Sequence, residues 1–97
     1  MLLYEKELRS FPHLMQEIRI LDIDGGIRTF GKHAGKKCLI FLTRSEKGYA
    51  VAVYSIKKDG KMTVPDKRLH LEEIESEDVL KSFLDKTVIK PVEAYSY

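Results

Sequence analysis

The segment Gly26-Ile27-Arg28-Thr29-Phe30-Gly31-Lys32-His33 has the glycine and lysine spacing of a phosphate-binding loop. In such a loop a Ser or Thr after the lysine ligates magnesium, and His33 stands at that position instead. The loop also belongs between a strand and a helix of a parallel sheet, in a longer chain than this one, so nucleotide hydrolysis is not expected. The same spacing is compatible with a looser role, in which the backbone amides of Gly31 and Gly35 hold an anion. Asp22 and Asp24 before Gly25 resemble the opening of a calcium loop, but the twelfth position from Asp22 is His33, where a bidentate Glu is required. A turn is expected there. His13, His33 and His70 are dispersed and share no ligand spacing with Cys38, which argues against a zinc site. Cys38 follows Lys36 and Lys37, and with His33 as base it has the parts of an activated thiolate. Its place in an apolar run predicts an inert core residue. Glu72, Glu73, Glu75, Glu77 and Asp78 read as a solvated approach to a helix N-terminus. No catalytic residue, metal or cofactor is implied.

The charge distribution has more functional content. The formal net charge is +2, yet residues 28–68 hold 11 basic residues against 3 acidic ones, or +8. The rest of the chain holds 6 basic and 12 acidic residues, or −6. Arg28, Lys32, Lys36 and Lys37 in one region and Lys57, Lys58 and Lys61 at a turn form a candidate phosphate-attracting surface. Tyr49 and Tyr54 are candidate rings for stacking bases. A plainer reading has these lysines keeping the edges soluble and pairing with the acidic terminal segments. The sequence pI of 8.6 lies below the value of about 9 usual for nucleic-acid-binding domains.

The elements that would position these residues centre on residues 37–58, KCLIFLTRSEKGYAVAVYSIKK. Cys38, Ile40 and Leu42 alternate with Leu39, Phe41 and Thr43. Tyr49, Val51 and Val53 alternate with Ala50, Ala52, Tyr54 and Ile56. Both faces of both strands are apolar, which predicts a hairpin in the sheet interior, and the small side chains of Ala50 and Ala52 leave room on their face, most simply for a helix and less economically for a ligand. Ser45-Glu46-Lys47-Gly48 supplies the turn, with Gly48 suited to positive φ. Residues 31–37 read as an exposed basic loop. Asp59-Gly60 reads as a two-residue turn that would set Lys58 against Lys61 and Ile56 against Thr63. Pro65 then demands an edge position or a break in the third strand, and Leu69 and Leu71 mark its resumption.

Ser10 and Pro12 suit a helix start, and Leu8, Phe11, Leu14, Met15, Ile18 and Leu21 recur at helical spacing. The β-branched run from Ile18 competes with that reading, and the Asp24-Gly25-Gly26 turn favours a short helix or turn near Pro12 followed by a strand from about Ile18. Ser76, Glu77 and Asp78 open a second helix, with Val79, Leu80, Phe83 and Leu84 on its buried face and Lys81 and Lys86 toward its end. The tail contains Val88, Ile89 and Val92 around Pro91, enough for a short edge strand or a docked arm.

From about Cys38 to Lys86 the order strand, Lys47-Gly48 turn, strand, strand, capped helix resembles the repeats of the purine-rich-element-binding (Pur) family and related single-strand DNA binders. That resemblance implies nucleic-acid binding. Length and composition predict a single α+β domain spanning residues 1–97, an antiparallel sheet of about four to six strands built on the central hairpin, with the C-terminal helix on one face. Charge appears after Met1-Leu2-Leu3, too early for a signal peptide, and the single Cys38 suits a reducing compartment, so a cytoplasmic protein without a membrane anchor is expected. The absence of Asn and the single Gln16, beside plentiful Lys and Glu, suit a thermophilic source. The expected function is a non-enzymatic binding module for nucleic acid or another polyanion. The alternative is a protein-interaction or regulatory subunit, as a homodimer or with a separate protein partner.

Overall fold

The computed structural model describes residues 6–96, in the order β1 (Lys6–Leu8), α1 (Phe11–Arg19), β2 (Gly26–His33), β3 (Lys36–Arg44), β4 (Tyr49–Asp59), β5 (Met62–Ile74), α2 (Glu77–Thr87) and β6 (Ala94–Ser96). The first five residues, on which the expectation about a leader rests, lie outside the described residues. The strands form one antiparallel sheet in the order β1-β6-β2-β3-β4-β5. The chain is therefore an α+β fold with the predicted hairpin, β3 and β4, in the sheet interior. No helix among the described residues is long and apolar enough to cross a membrane.

Strand alternation places most of the large aliphatic side chains on one face, although Leu39, also buried, is on the other. Ile27 and Thr29 of β2, Cys38, Ile40 and Leu42 of β3, Tyr49, Val51 and Val53 of β4 and Ile74 of β5 all point to one face and are buried. Both helices cover that face, joining these side chains to Leu14, Met15 and Ile18 of α1 and Leu80 and Leu84 of α2 in one core cluster. Each fully buried leucine there contributes about 1.5–3 kcal/mol of transfer free energy. Thr29 is the polar member of this layer, and its hydroxyl is satisfied by donating to the Glu93 carbonyl at 3.1 Å.

Several expectations need correction. Residues 18–23 form no strand: α1 runs to Arg19, because Leu14, Met15 and Ile18 meet the core at helical spacing, and Ile20 and Ile23 are left exposed. The Ser10 hydroxyl caps this helix by accepting from the His13 amide at 3.2 Å. The basic loop of residues 31–37 is mostly strand, with a tight turn at Ala34 (φ 52°) and Gly35 (φ 79°). At the next turn the centre lies one residue beyond the expected one, which displaces each partner by two: Asp59 faces Met62, Lys58 faces Thr63 and Ile56 faces Pro65. The turn is centred on Gly60 and Lys61, and Gly60 takes the positive φ of 63°. Gly48 does not take positive φ. Its hydrogen is needed because a Cβ would lie 2.4 Å from the Ile74 carbonyl oxygen.

The C-terminal helix is capped as expected by Ser76, which accepts from the Val79 amide at 3.4 Å, but Val79 itself is exposed. Its last turn reaches β2 at Gly31, where a Cβ would stand 2.6 Å from the Thr87 carbonyl oxygen. The tail is an interior strand, since β6 pairs with β1 on one side and β2 on the other. Edge positions fall to β1 and β5. Pro65 lies in edge strand β5, as its missing amide donor requires, beside two register shifts.

Candidate nucleic-acid interface

Among the described residues, no helix lies on the second face of the sheet. By alternation and register this face presents Tyr95 from β6, Arg28, Phe30 and Lys32 from β2, Lys37, Leu39, Phe41 and Thr43 from β3, and Ala50, Ala52, Tyr54, Ile56 and Lys58 from β4. The room left by Ala50 and Ala52 is thus not filled by a helix. It forms the floor of an open groove of about 420 Å³, walled by Phe41 and Tyr54 on one side and Pro65 and Leu71 on the other.

Ring and cation contacts knit this face together. Phe41 and Tyr54 meet edge to face, their centroids 5.5 Å apart. The Lys37 ammonium sits 4.6 Å from the centre of the Phe30 ring, and the Arg28 guanidinium 4.9 Å from that of Tyr95. All four residues are partly buried. The carboxylates sharing this face by register are Glu7 of β1 and Glu73 of β5, both near its borders.

Chain direction sorts the remaining charge. The β2–β3 turn, the β4–β5 turn and the C-terminus of α2 lie at one end of the sheet, because alternate strands run in opposite directions. The β3–β4 turn, the end of β5 and the N-terminus of α2 lie at the other. Lys32, Lys36, Lys37, Lys57, Lys58 and Lys61 therefore gather at one end, and Glu46, Glu73, Glu75, Glu77 and Asp78 at the opposite one. The Arg19 Nε contact with Glu77 at 3.2 Å ties the two helices at the acidic end.

Of the seven basic residues singled out in the sequence, Arg28, Lys32, Lys37 and Lys58 share the open face. Lys36 and Lys57 have the opposite strand parity, and Lys57 lies 3.9 Å from Asp66. Lys61 occupies the turn, and Lys58 donates to the Thr63 hydroxyl at 2.9 Å. Of the two candidate rings, Tyr54 is on the open face. Tyr49 is 95% buried beneath the helices, with its hydroxyl accepting from Arg44 at 2.9 Å, and cannot stack a base. Sequence reasoning missed Phe30, Phe41, Tyr95 and Arg68. The shared parity of Phe30 and Phe41 would have shown once the Ala34-Gly35 turn fixed the β2–β3 register.

The enzymatic motifs dissolve in the fold. Gly26 to His33 is strand β2, not a loop before a helix, and no group of His, Cys, Asp or Glu side chains that could hold a metal occurs among the described residues. Cys38 is buried, and desolvation pushes its thiol pKa up, the reverse of nucleophile activation. His33 stacks on His70, which in turn stacks on Phe83 of α2, each pair 6.4 Å between centroids; His70 also meets Glu72 at 2.9 Å. No protein-family model, no curated protein and no solved structure matches the chain, so the open face and its charges must carry the functional argument.

Proposed function

We propose that this protein is a non-enzymatic module that binds single-stranded nucleic acid across the open face of its sheet. The observation that carries the proposal is the set of aromatic side chains, Phe30, Phe41, Tyr54 and Tyr95, on an apolar face that neither described helix covers, with Arg28, Lys32, Lys37 and Lys58 among them. Unpaired bases gain about 1–3 kcal/mol each by stacking on such rings, without sequence preference, while cations follow the phosphates. A duplex hides its base faces and gains only the charge term. Lys32, Lys37 and Lys58, with Arg68 of β5 opposite Tyr54, are the phosphate contacts, and Arg28 stiffens the Tyr95 ring. Lys36, Lys57 and Lys61 strengthen the field of that end of the molecule and steer the strand toward it.

The test is fluorescence anisotropy with a labelled oligonucleotide of mixed sequence, single-stranded and then annealed, across a salt series. The proposal expects micromolar single-strand binding that weakens with salt, and weaker binding of the duplex. Absence of binding at low salt, or a preference for duplex, overturns it. The alternative of a protein-interaction subunit draws its support from the uncovered edge of β5, where Met62, Leu69 and Leu71 are exposed.

A further inference from the structure

The edge strand β5 contains the sequence Lys67-Arg68-Leu69-His70-Leu71-Glu72-Glu73, in which two bases and two acids are disposed symmetrically about a Leu-His-Leu centre. We infer that this segment pairs with the same segment of a second copy, antiparallel about His70, so that two sheets join into one.

Antiparallel self-pairing about a two-fold axis requires a residue to face its own copy, because directly opposed residues must point to the same side of the sheet. With His70 on the axis, Leu69 faces Leu71 of the second copy and the Lys67-Arg68 pair faces Glu72-Glu73. The register shift that makes Leu69 an extra residue against β4 moves the charged partners by one position. Counted past Leu69, Lys67 still meets Glu72, once on each side of the axis, while Arg68 meets Leu71. No other residue makes an antiparallel centre in β5 that matches both the charges and the leucines.

The strand is ready for such a partner. It stands last in the sheet, so alternate amides and carbonyls along it face outward without a neighbouring strand among the described residues. Leu69 is 46% exposed and Leu71 55%. The side chains of Lys67, Arg68 and Glu73 enter no ion pair among the described residues. Pro65, which lacks a donor, lies outside the segment and sets its upper limit. The two-fold axis also inverts the second copy, placing the basic end of one molecule beside the acidic end of the other. Opposed directly, like charges would disfavour pairing; here both the local pairs and the whole-molecule poles favour it.

A charge exchange tests this without nucleic acid, by light scattering coupled to size exclusion. The parent is expected at twice the chain mass at tens of micromolar, whereas K67E/R68E and E72K/E73K, each checked for parental circular dichroism, are expected as monomers. An equimolar mixture of the two variants restores opposite charges at both contacts and is expected to return to twice the chain mass. A monomeric parent, variants that remain dimeric, or a mixture that stays monomeric overturns the inference. If a variant loses its dichroism, hydrogen exchange of the parent on dilution decides: residues 67–73 must lose protection as the mass falls, and unchanged protection overturns the pairing. A positive result leaves the single-strand reading to its own assay, since neither measurement contains an oligonucleotide.

Discussion

Replacing Lys32, Lys37 and Lys58 together by alanine isolates the electrostatic part of single-strand binding. The open face carries four well-exposed cations by register, Lys32, Lys37, Lys58 and Arg68. For single strands the logarithm of the association constant falls against the logarithm of salt with a slope of about −0.7 per phosphate contact, which gives about −2.8 for the parent and about −0.7 for the triple variant. Between 50 and 200 mM salt the parent should lose about 50-fold in affinity and the variant only about 3-fold. Anisotropy titrations at four or five salt concentrations read both slopes, and Lys81→Ala on the helix side serves as a control with the parental slope. The reasoning is refuted if the triple variant keeps the parental slope, for then those ammonium groups touch no phosphate wherever the strand lies. A variant that loses affinity equally at every salt concentration refutes it as well, because removal of stacking, not of charge, produces that pattern.

Phe41→Ala and Tyr54→Ala should do what the lysine variants do not. Each is expected to weaken single-strand binding about 5- to 150-fold while leaving the salt slope unchanged, as measured in the same titrations. Gly48→Ala is expected to destabilise the fold by about 1–3 kcal/mol in urea unfolding, since its Cβ would lie 2.4 Å from the Ile74 carbonyl oxygen and 2.6 Å from the Glu75 Cα, both backbone. Lys90 holds the Asp85 carboxyl below its ordinary value, chiefly through a hydrogen bond. A carboxyl lowered in the folded state contributes stability above its unfolded value, and that contribution is lost as pH falls through the folded value. Asp85→Asn should therefore lower the melting temperature slightly at neutral pH, with the difference closing on acidification.

How much of this was legible in the chain depended on whether a signal was local. The central hairpin, the Ser76 cap and the demand of Pro65 for an edge are properties of short stretches, and each is found in the fold. The run from Ile18 to Ile23 was ambiguous because β-branched residues and a following Asp-Gly-Gly satisfy strand and turn rules. The core decided it by accepting Leu14, Met15 and Ile18 on one helical face. The assignment of a helix to the Ala50 and Ala52 face failed for a non-local reason. Both faces of β4 are apolar, so periodicity cannot say which one the helices choose, and they chose the face carrying Val51, Val53, Ile40 and Leu42. The basic residues were legible as a group, but their division between two strand faces required knowing which face the helices cover, and β3 and β4, apolar on both, do not reveal it. The rings at Phe30 and Tyr95 were invisible as well, since Tyr95 reaches the face through a strand that pairs far from its place in sequence.

The composition of the two faces explains why one is left open. Apart from Leu39, the fully buried aliphatic side chains of the sheet lie under the helices. The opposite face has alanines at its centre, rings held partly buried by one another, and lysines at one end. The Lys37 ammonium sits over the Phe30 ring, so charge lies against that apolar area at the rim. A third layer of large aliphatics on this face would have closed the groove. On the proposed function, a base would lie on the floor at Ala50 and Ala52, between Tyr54 and Leu71, with the cations drawing its phosphate. The same strand that walls the groove with Leu71 offers its free edge to a second copy. Pairing there would set the two open faces side by side, with the lysine-rich ends at opposite corners of the joint surface, so a strand crossing both would meet cations at its entry and at its exit. Binding length therefore distinguishes the two arrangements: if β5 pairs, an oligonucleotide long enough to span both faces gains affinity over a short one by more than the added stacking of its extra bases.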